Sequence, residues 1–128
     1  MRFLEQFRDW EDVEEHGVRS VVFSERDSAD VMYVVLSGEI GLTLHGEPLG
    51  AESKGGIIGE MSMIDSATYG ATATTLSKVK LARLNRGQLE VFIGKNSEFA
   101  LHVMEAMANR LRAVDNYITT QLAHTAGR

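Results

Sequence analysis

The residue types best suited to chemistry lie in one glycine-rich stretch, residues 54–75, which reads KGGIIGEMSMIDSATYGATATT. Glycines at 55, 56 and 59 precede a short apolar turn that is predicted to be helical over residues 60–64. An anion site needs close backbone approach, unpaired N–H groups and a helix N-terminus, and this pattern offers all three. Glycines before a helix can also serve only to turn the chain, so both interpretations stay open here.

The same stretch gives little support for catalysis. Glu60 and Asp65 are the carboxylates near the glycines, and five residues apart on a helix they would point in different directions, which argues against a concerted acid and base. Ser62, in GEMSM, does not match the G-x-S-x-G nucleophile elbow. There is no cysteine, and the four histidines lie far apart in sequence, so thiol chemistry is excluded and no metal site is expected. We expect a protein that is not an enzyme.

Size and charge narrow the function further. At 128 residues the chain is expected to form a single domain, because typical domains run from about 50 to 250 residues. With 13 basic and 18 acidic residues the net charge is −5, which disfavours nonspecific binding to nucleic acid. The N-terminus lacks the apolar run of a signal peptide, and no segment suits a membrane span, so the sequence predicts a cytoplasmic protein without membrane association.

The elements that must position these residues are predicted from periodicity. Apolar residues at three- and four-residue steps predict a short amphipathic helix over residues 1–12, flanking the core. Residues 18–84 carry short runs rich in β-branched residues, which predict the strands of a sandwich, barrel or jelly roll. The clearest runs are 18–24, 31–37, 39–44, 47–50, 70–75 and 79–84. A tight hairpin turn is predicted at His45-Gly46.

The C-terminal region is predicted to be helical, with a short helix over residues 86–94 and a long one over 96–123. A seam of apolar residues follows the long helix at heptad spacing: Ala100, Met104, Met107, Leu111, Val114 and Ile118. A helix of this length extends about 40 Å, further than a small β-domain covers. The seam packs on the β-domain in one interpretation and pairs with a second copy in the other; we favour the homodimer.

In this order and spacing, the segments resemble the cyclic-nucleotide-binding domain of catabolite-activator-type regulators, kinase regulatory subunits and gated channels. The resemblance covers essentially the whole chain and rests on MYVV at 32–35, SGE at 37–39, GEMS at 59–62, AT at 71–72 and the strand-plus-helix segment 81–92. It implies a mainly β fold with flanking helices: an eight-stranded β-roll with a short N-terminal helix, a short cassette helix and a long C-terminal helix. It also implies a cyclic nucleotide, cAMP or cGMP, as effector.

The resemblance further implies a set of ligand-binding residues: Gly59, Glu60, Met61, Ser62, Tyr69, Gly70, Ala71 and Thr72. In the family's pattern Glu60 accepts a hydrogen bond from the ribose 2′-hydroxyl, and the N–H groups from Met61 onward and of Ala71 face the phosphate. The residues alone leave a second interpretation open, in which Glu60 is only a helix N-terminal carboxylate, stabilised by about 0.3–1 kcal/mol.

Two positions depart from the family's pattern. Tyr69 stands where the family places the arginine that binds the phosphate, and loss of that charge-assisted hydrogen bond is expected to weaken a cyclic nucleotide by roughly ten- to a hundred-fold or more. The phenol could still donate one hydrogen bond. Arg26 replaces a turn glycine, which is expected to affect only turn geometry. A cation from elsewhere in the chain could serve the phosphate, and three candidates are Lys54, Lys78 and Arg83.

Three functions therefore remain. In the first, which we favour, the chain is a regulatory sensor that binds either a cyclic nucleotide weakly or a different, less anionic small ligand. It signals through its C-terminal helix to a regulated protein partner. In the second, the pocket is degenerate and the chain is a dimerisation or interaction module. The third, an enzyme, is the weakest. Only residues 122–128 follow the seam, too few for a helix-turn-helix, so no DNA binding is expected. Four polar residues of the helix could meet the base of a ligand or the partner chain, but we favour a solvated or interfacial position for them: Asn109, Arg110, Asn116 and Tyr117.

Overall fold

The computed structural model describes residues 2–61 and 68–126 and forms two four-stranded antiparallel sheets followed by two helices. The strands are β1 Val13–His16, β2 Val21–Phe23, β3 Val31–Ser37, β4 Ile40–Leu44, β5 Glu47–Glu52, β6 Ile57–Ile58, β7 Thr72–Thr75 and β8 Val79–Asn85. The strand orders are β1-β8-β3-β6 and β2-β7-β4-β5. A 3-10 helix, Arg2–Phe7, precedes them, and α1 Arg86–Lys95 and α2 Ser97–Ala126 follow.

The first sheet is buried on both faces, which explains the unbroken apolar run in β3. Met32 and Val34 point toward the helices, while Tyr33 and Val35 point into the space between the two sheets. The helix-side core contains Phe92 of α1, together with several residues of α2 and of the N-terminal segment. This arrangement places α2 against the β-roll, beside the opening between the sheets.

The N-terminal segment differs from the predicted amphipathic helix over residues 1–12. It is a 3-10 helix of six residues, and its Phe3 and Phe7 are buried in the helix-side core instead of flanking it. The prediction of a helix as far as residue 12 is wrong, because the carbonyl of Asp12 accepts a 2.8 Å hydrogen bond from the Arg83 N–H and the chain is already paired with β8 there.

Two strands were missed by the sequence pattern. These are β1, whose sequence VEEH is mostly polar, and the two-residue β6 inside the glycine-rich stretch. Arg26 adopts φ +71°, the left-handed conformation that glycine favours, and His45 and Gly46 are both left-handed, as a type I′ hairpin turn requires. Of the predicted cassette helix, residues 62–64 lie outside the described residues. The assignment of residues 1–128 to one domain stays a prediction.

The two C-terminal helices are well marked. A capping box between Asn85 and Gln88 begins α1. The 30 residues of α2 extend about 45 Å. Its apolar residues divide into two faces: Met107 packs against the helix-side core, whereas a stripe of exposed side chains runs along the outside, formed by Leu101, Met104, Leu111, Ile118 and Leu122. No helix among the described residues is long and apolar enough to cross a membrane.

Candidate ligand-binding site

A cavity of about 280 Å³ lies between the β-roll and α2. It is lined by Phe23, Leu42, Leu44, Leu49, Gly59, Glu60, Met61, Thr68, Tyr69, Gly70, Ala71, Arg110 and Val114. The structure thus brings together six of the eight predicted site residues. Thr72 follows in β7 and is not part of the lining; its Oγ1 accepts a 3.1 Å hydrogen bond from the Glu25 N–H. Ser62 lies outside the described residues.

Glu60 is the buried carboxylate of this cavity. It is only 1% exposed, and its Oε1 lies 3.4 Å from Arg110 Nε. Within the described part of the chain, Oε1 has no hydrogen-bond donor of good geometry. Burial raises the pKa of Glu60, and the positive charge of Arg110 opposes that rise. The site therefore holds a strong acceptor whose Oε1 is paired with Arg110 but lacks a well-aligned donor.

Arg110 reaches this carboxylate from α2. Its Nη2 donates a 3.2 Å hydrogen bond to the carbonyl of Ile57 and lies 3.8 Å from Glu52 Oε1. The expectation that Arg110 is solvated or interfacial is wrong, because the face of α2 that carries it packs on the β-roll. The sequence spacing indicates this position: Arg110 precedes Val114 by four residues and follows Met107 by three, so all three lie on one face of the helix.

The cations suggested by sequence lie elsewhere. Arg83 is engaged by Asp12 at 3.3 Å and by Glu14 at 3.2 Å. Lys54 and Lys78 are absent from the described lining of the cavity. Arg110 is therefore the cation that the described residues bring to the site.

Tyr69 lines the cavity with its ring turned into the β-roll. The ring stacks on Phe23 with centroids 3.8 Å apart and planes 10° apart, and the hydroxyl donates a 2.8 Å hydrogen bond to the carbonyl of Val31. Burial raises the pKa of the phenol. Gly59 adopts φ +79°, and a Cβ built there would lie 2.9 Å from Tyr69 Cε1. The ring therefore lies directly against the α-carbon of Gly59.

Comparison with known sequences identifies relatives of this chain. The family model of the cyclic nucleotide-binding domain matches residues 15–96, more than half of the chain. A CRP-like cAMP-activated global transcriptional regulator of Mycobacterium tuberculosis is 27% identical over 101 residues, which cover 74% of this chain and 45% of that protein. The chain thus spans about half the length of the curated relatives that it matches.

Solved structures share the fold. The catabolite activator protein of Thermus thermophilus has a TM-score of 0.73 at 22% identity, covering 94% of this chain and 59% of that one. The heme domain of CooA from Carboxydothermus hydrogenoformans has a TM-score of 0.80 at 11% identity, covering 97% of this chain and 92% of that one. The eight-stranded β-roll is confirmed, and so is the resemblance read from the sequence. The chain belongs to the cyclic nucleotide-binding domain family.

Proposed function

We propose that this chain is a regulatory sensor domain, which binds a small ligand in the cavity between the β-roll and α2 and signals through that helix. Cyclic nucleotides, cAMP or cGMP, are candidate ligands with reduced affinity, because Tyr69 stands at the family's arginine position. One observation carries the proposal: a buried carboxylate of the glycine-rich stretch, Glu60, meets a cation of the signalling helix, Arg110, inside an apolar cavity.

The geometry supports a route from ligand to helix. A ligand hydroxyl that donates to Glu60 must share the carboxylate with Arg110 or displace it. Arg110 is also held by Glu52 and by the carbonyl of Ile57, so a change at Glu60 alters the contacts that fix α2 on the β-roll. Val114, one turn further along α2, lines the same cavity. Ligand binding would therefore shift the position of the helix.

The relatives support regulation as the role. The mycobacterial relative is by name a cAMP-activated transcriptional regulator, and the structural neighbour from Carboxydothermus is by title a heme domain, so this fold carries different effectors. Glu60 and Arg110 are the charged residues among the described lining, which does not suit paired acid–base catalysis. We propose a binding domain without catalytic activity.

Calorimetric titration with cAMP and cGMP to millimolar concentration tests the proposal. We expect weak, saturable binding that falls at least about tenfold in Glu60→Gln, because a charged acceptor is lost. The matched control is Glu47→Gln, an exposed carboxylate of β5 outside the cavity lining, which should bind as the natural protein does. Amide resonances of α2 should shift on saturation. The sensor proposal would be refuted if Glu60→Gln left the affinity unchanged, or if the α2 resonances did not shift on saturation.

The second candidate function is an interaction module, and the exposed stripe on α2 favours it. Leu101, Met104, Leu111, Ile118 and Leu122 recur at steps of three, seven, seven and four residues, the spacing of a helix that pairs with another helix. We propose that two copies of the chain associate through this stripe. In the sensor, this association would transmit the effect of ligand binding. If the cavity held no ligand, the association would be the whole function of the chain. Given the net charge of −5, we propose a protein as the regulated partner, and no DNA contact by this chain.

A further inference from the structure

We propose that the ligand preferred by this cavity is an uncharged, nucleoside-like molecule, with a ring-borne hydroxyl and an apolar body, and not a phosphate ester. This inference rests on the proposed function, since it names the ligand class of the same cavity. Three features carry it: the charge balance around Arg110, the position of the Tyr69 ring, and the unused acceptor on Glu60.

The charge balance disfavours an added anion. Arg110 interacts with two carboxylates, Glu60 at 3.4 Å and Glu52 at 3.8 Å, so its single positive charge is already shared between two acids. Burial raises the pKa of both carboxyls, the charge of Arg110 opposes that rise in each, and the charge of Glu60 raises the pKa of Glu52 further. A phosphodiester would add a third anion beside one cation.

The backbone at Gly59 is already covered by a side chain. A glycine with no side chain permits close approach to the backbone, and at Gly59 that approach is made by the ring of Tyr69. The ring of Tyr69 also stacks on Phe23, and its hydroxyl donates its proton to the carbonyl of Val31. Tyr69 therefore blocks the α-carbon of Gly59 and offers no free proton to an anion.

What remains suits a neutral ligand. Glu60 Oε1 is buried beside Arg110 and, within the described chain, lacks a hydrogen-bond donor of good geometry, so a ligand hydroxyl that displaces Arg110 from it would supply that donor. The rest of the wall is largely apolar, with Leu42, Leu44 and Val114 among its residues. A volume of about 280 Å³ is close to the lower end of small-molecule sites, roughly 300–1,000 Å³, and suits a ligand of about nucleoside size.

Two matched pairs test the inference in calorimetric titrations of the intact chain: adenosine against cAMP, and guanosine against cGMP. We expect at least one nucleoside to bind at least about fivefold more tightly than its cyclic nucleotide. A fivefold ratio of affinities corresponds to the repulsion between two like charges about 4 Å apart at the dielectric constant of bulk water. Added salt should narrow the difference. Tighter binding of the cyclic nucleotides would overturn this inference and leave the proposed function standing. No binding by any of the four would overturn both.

A variant isolates the charge argument. Glu52→Gln removes one of the two carboxylates on Arg110 without changing the cavity lining. We expect the affinity for each cyclic nucleotide to rise at least about fivefold relative to that for its nucleoside, because only the phosphate gains from the loss of a nearby negative charge. Glu47→Gln, on the same strand and outside the lining, should change neither. An equal effect of Glu52→Gln on both members of a pair would contradict the charge argument.

Discussion

Replacing Arg110 by methionine tests whether its cation holds the buried Glu60 carboxylate in the folded protein. Methionine keeps a long side chain and a good helix propensity, so α2 should be preserved. Because Glu60 is 1% exposed and its Oε1 lies 3.4 Å from Arg110 Nε, the variant leaves a buried charge without its nearest partner. Such a loss costs about 3–5 kcal/mol, and we expect about 3 kcal/mol because the contact is long and Glu60 can take up a proton instead.

The cost should depend on pH. Burial raises the pKa of Glu60 above its ordinary value of 4.5, so the folded protein binds this proton more readily than the unfolded chain. Its stabilising contribution is therefore fully present below the unfolded pKa and is lost as pH rises through the folded pKa. Removing Arg110 raises that pKa further. The destabilisation should be larger at about pH 7 than at about pH 5.

Urea unfolding followed by circular dichroism, at one fixed protein concentration, measures both effects. The control is Arg112→Met: Arg112 is exposed on the same helix and donates to Asn109, and its loss should change the unfolding free energy by less than about 0.5 kcal/mol. Adding Glu60→Gln to Arg110→Met should recover part of the stability. If Arg110→Met costs no more than the control, or costs the same at both pH values, the buried ion pair is not what stabilises this site.

Two further predictions concern backbone strain and assembly. Gly59→Ala should lower the unfolding free energy by more than about 1 kcal/mol, because of its left-handed φ and the contact with Tyr69, whereas Gly94→Ala, with open space around its Cβ, should raise it by about 0.5 kcal/mol; equal urea midpoints would contradict this. In sedimentation velocity the natural chain should be a dimer, Leu111→Glu a folded monomer, and Thr120→Glu, exposed but off the stripe, still a dimer. A monomeric natural chain would rule out pairing through α2.

Local patterns predicted most of the fold, and the missing parts depend on distant residues. Alternating and β-branched runs located β3 and β8, and turn chemistry located the hairpin at His45 and Gly46. By contrast, β1 is a strand because Val13 and the next three residues pair with β8, some 65 positions away, and not because of its own propensity. The same pairing takes Asp12 out of the predicted N-terminal helix.

The candidate site divides in the same way. The glycine-rich motif predicted that Glu60 and its neighbours line the site, because the residues of a motif are adjacent in sequence. The direction of the Tyr69 ring was not predictable, since it depends on a stacking partner, Phe23, and an acceptor, Val31, from other strands. Arg110 comes from a helix 50 positions downstream of Glu60, and only the docking of that helix brings the two together.

The unbroken course of α2 restricts where the chain can gain or lose residues. Arg110 faces the cavity and Leu111, the next residue, belongs to the exposed stripe, so the two surfaces are fixed relative to each other by about 100° of helix rotation per residue. One residue inserted ahead of Arg110 would turn every later side chain by that angle and move the cation away from Glu60. Insertions and deletions should therefore be tolerated in hairpin turns such as His45-Gly46. They should not be tolerated in the part of α2 from Val103 to Ile118.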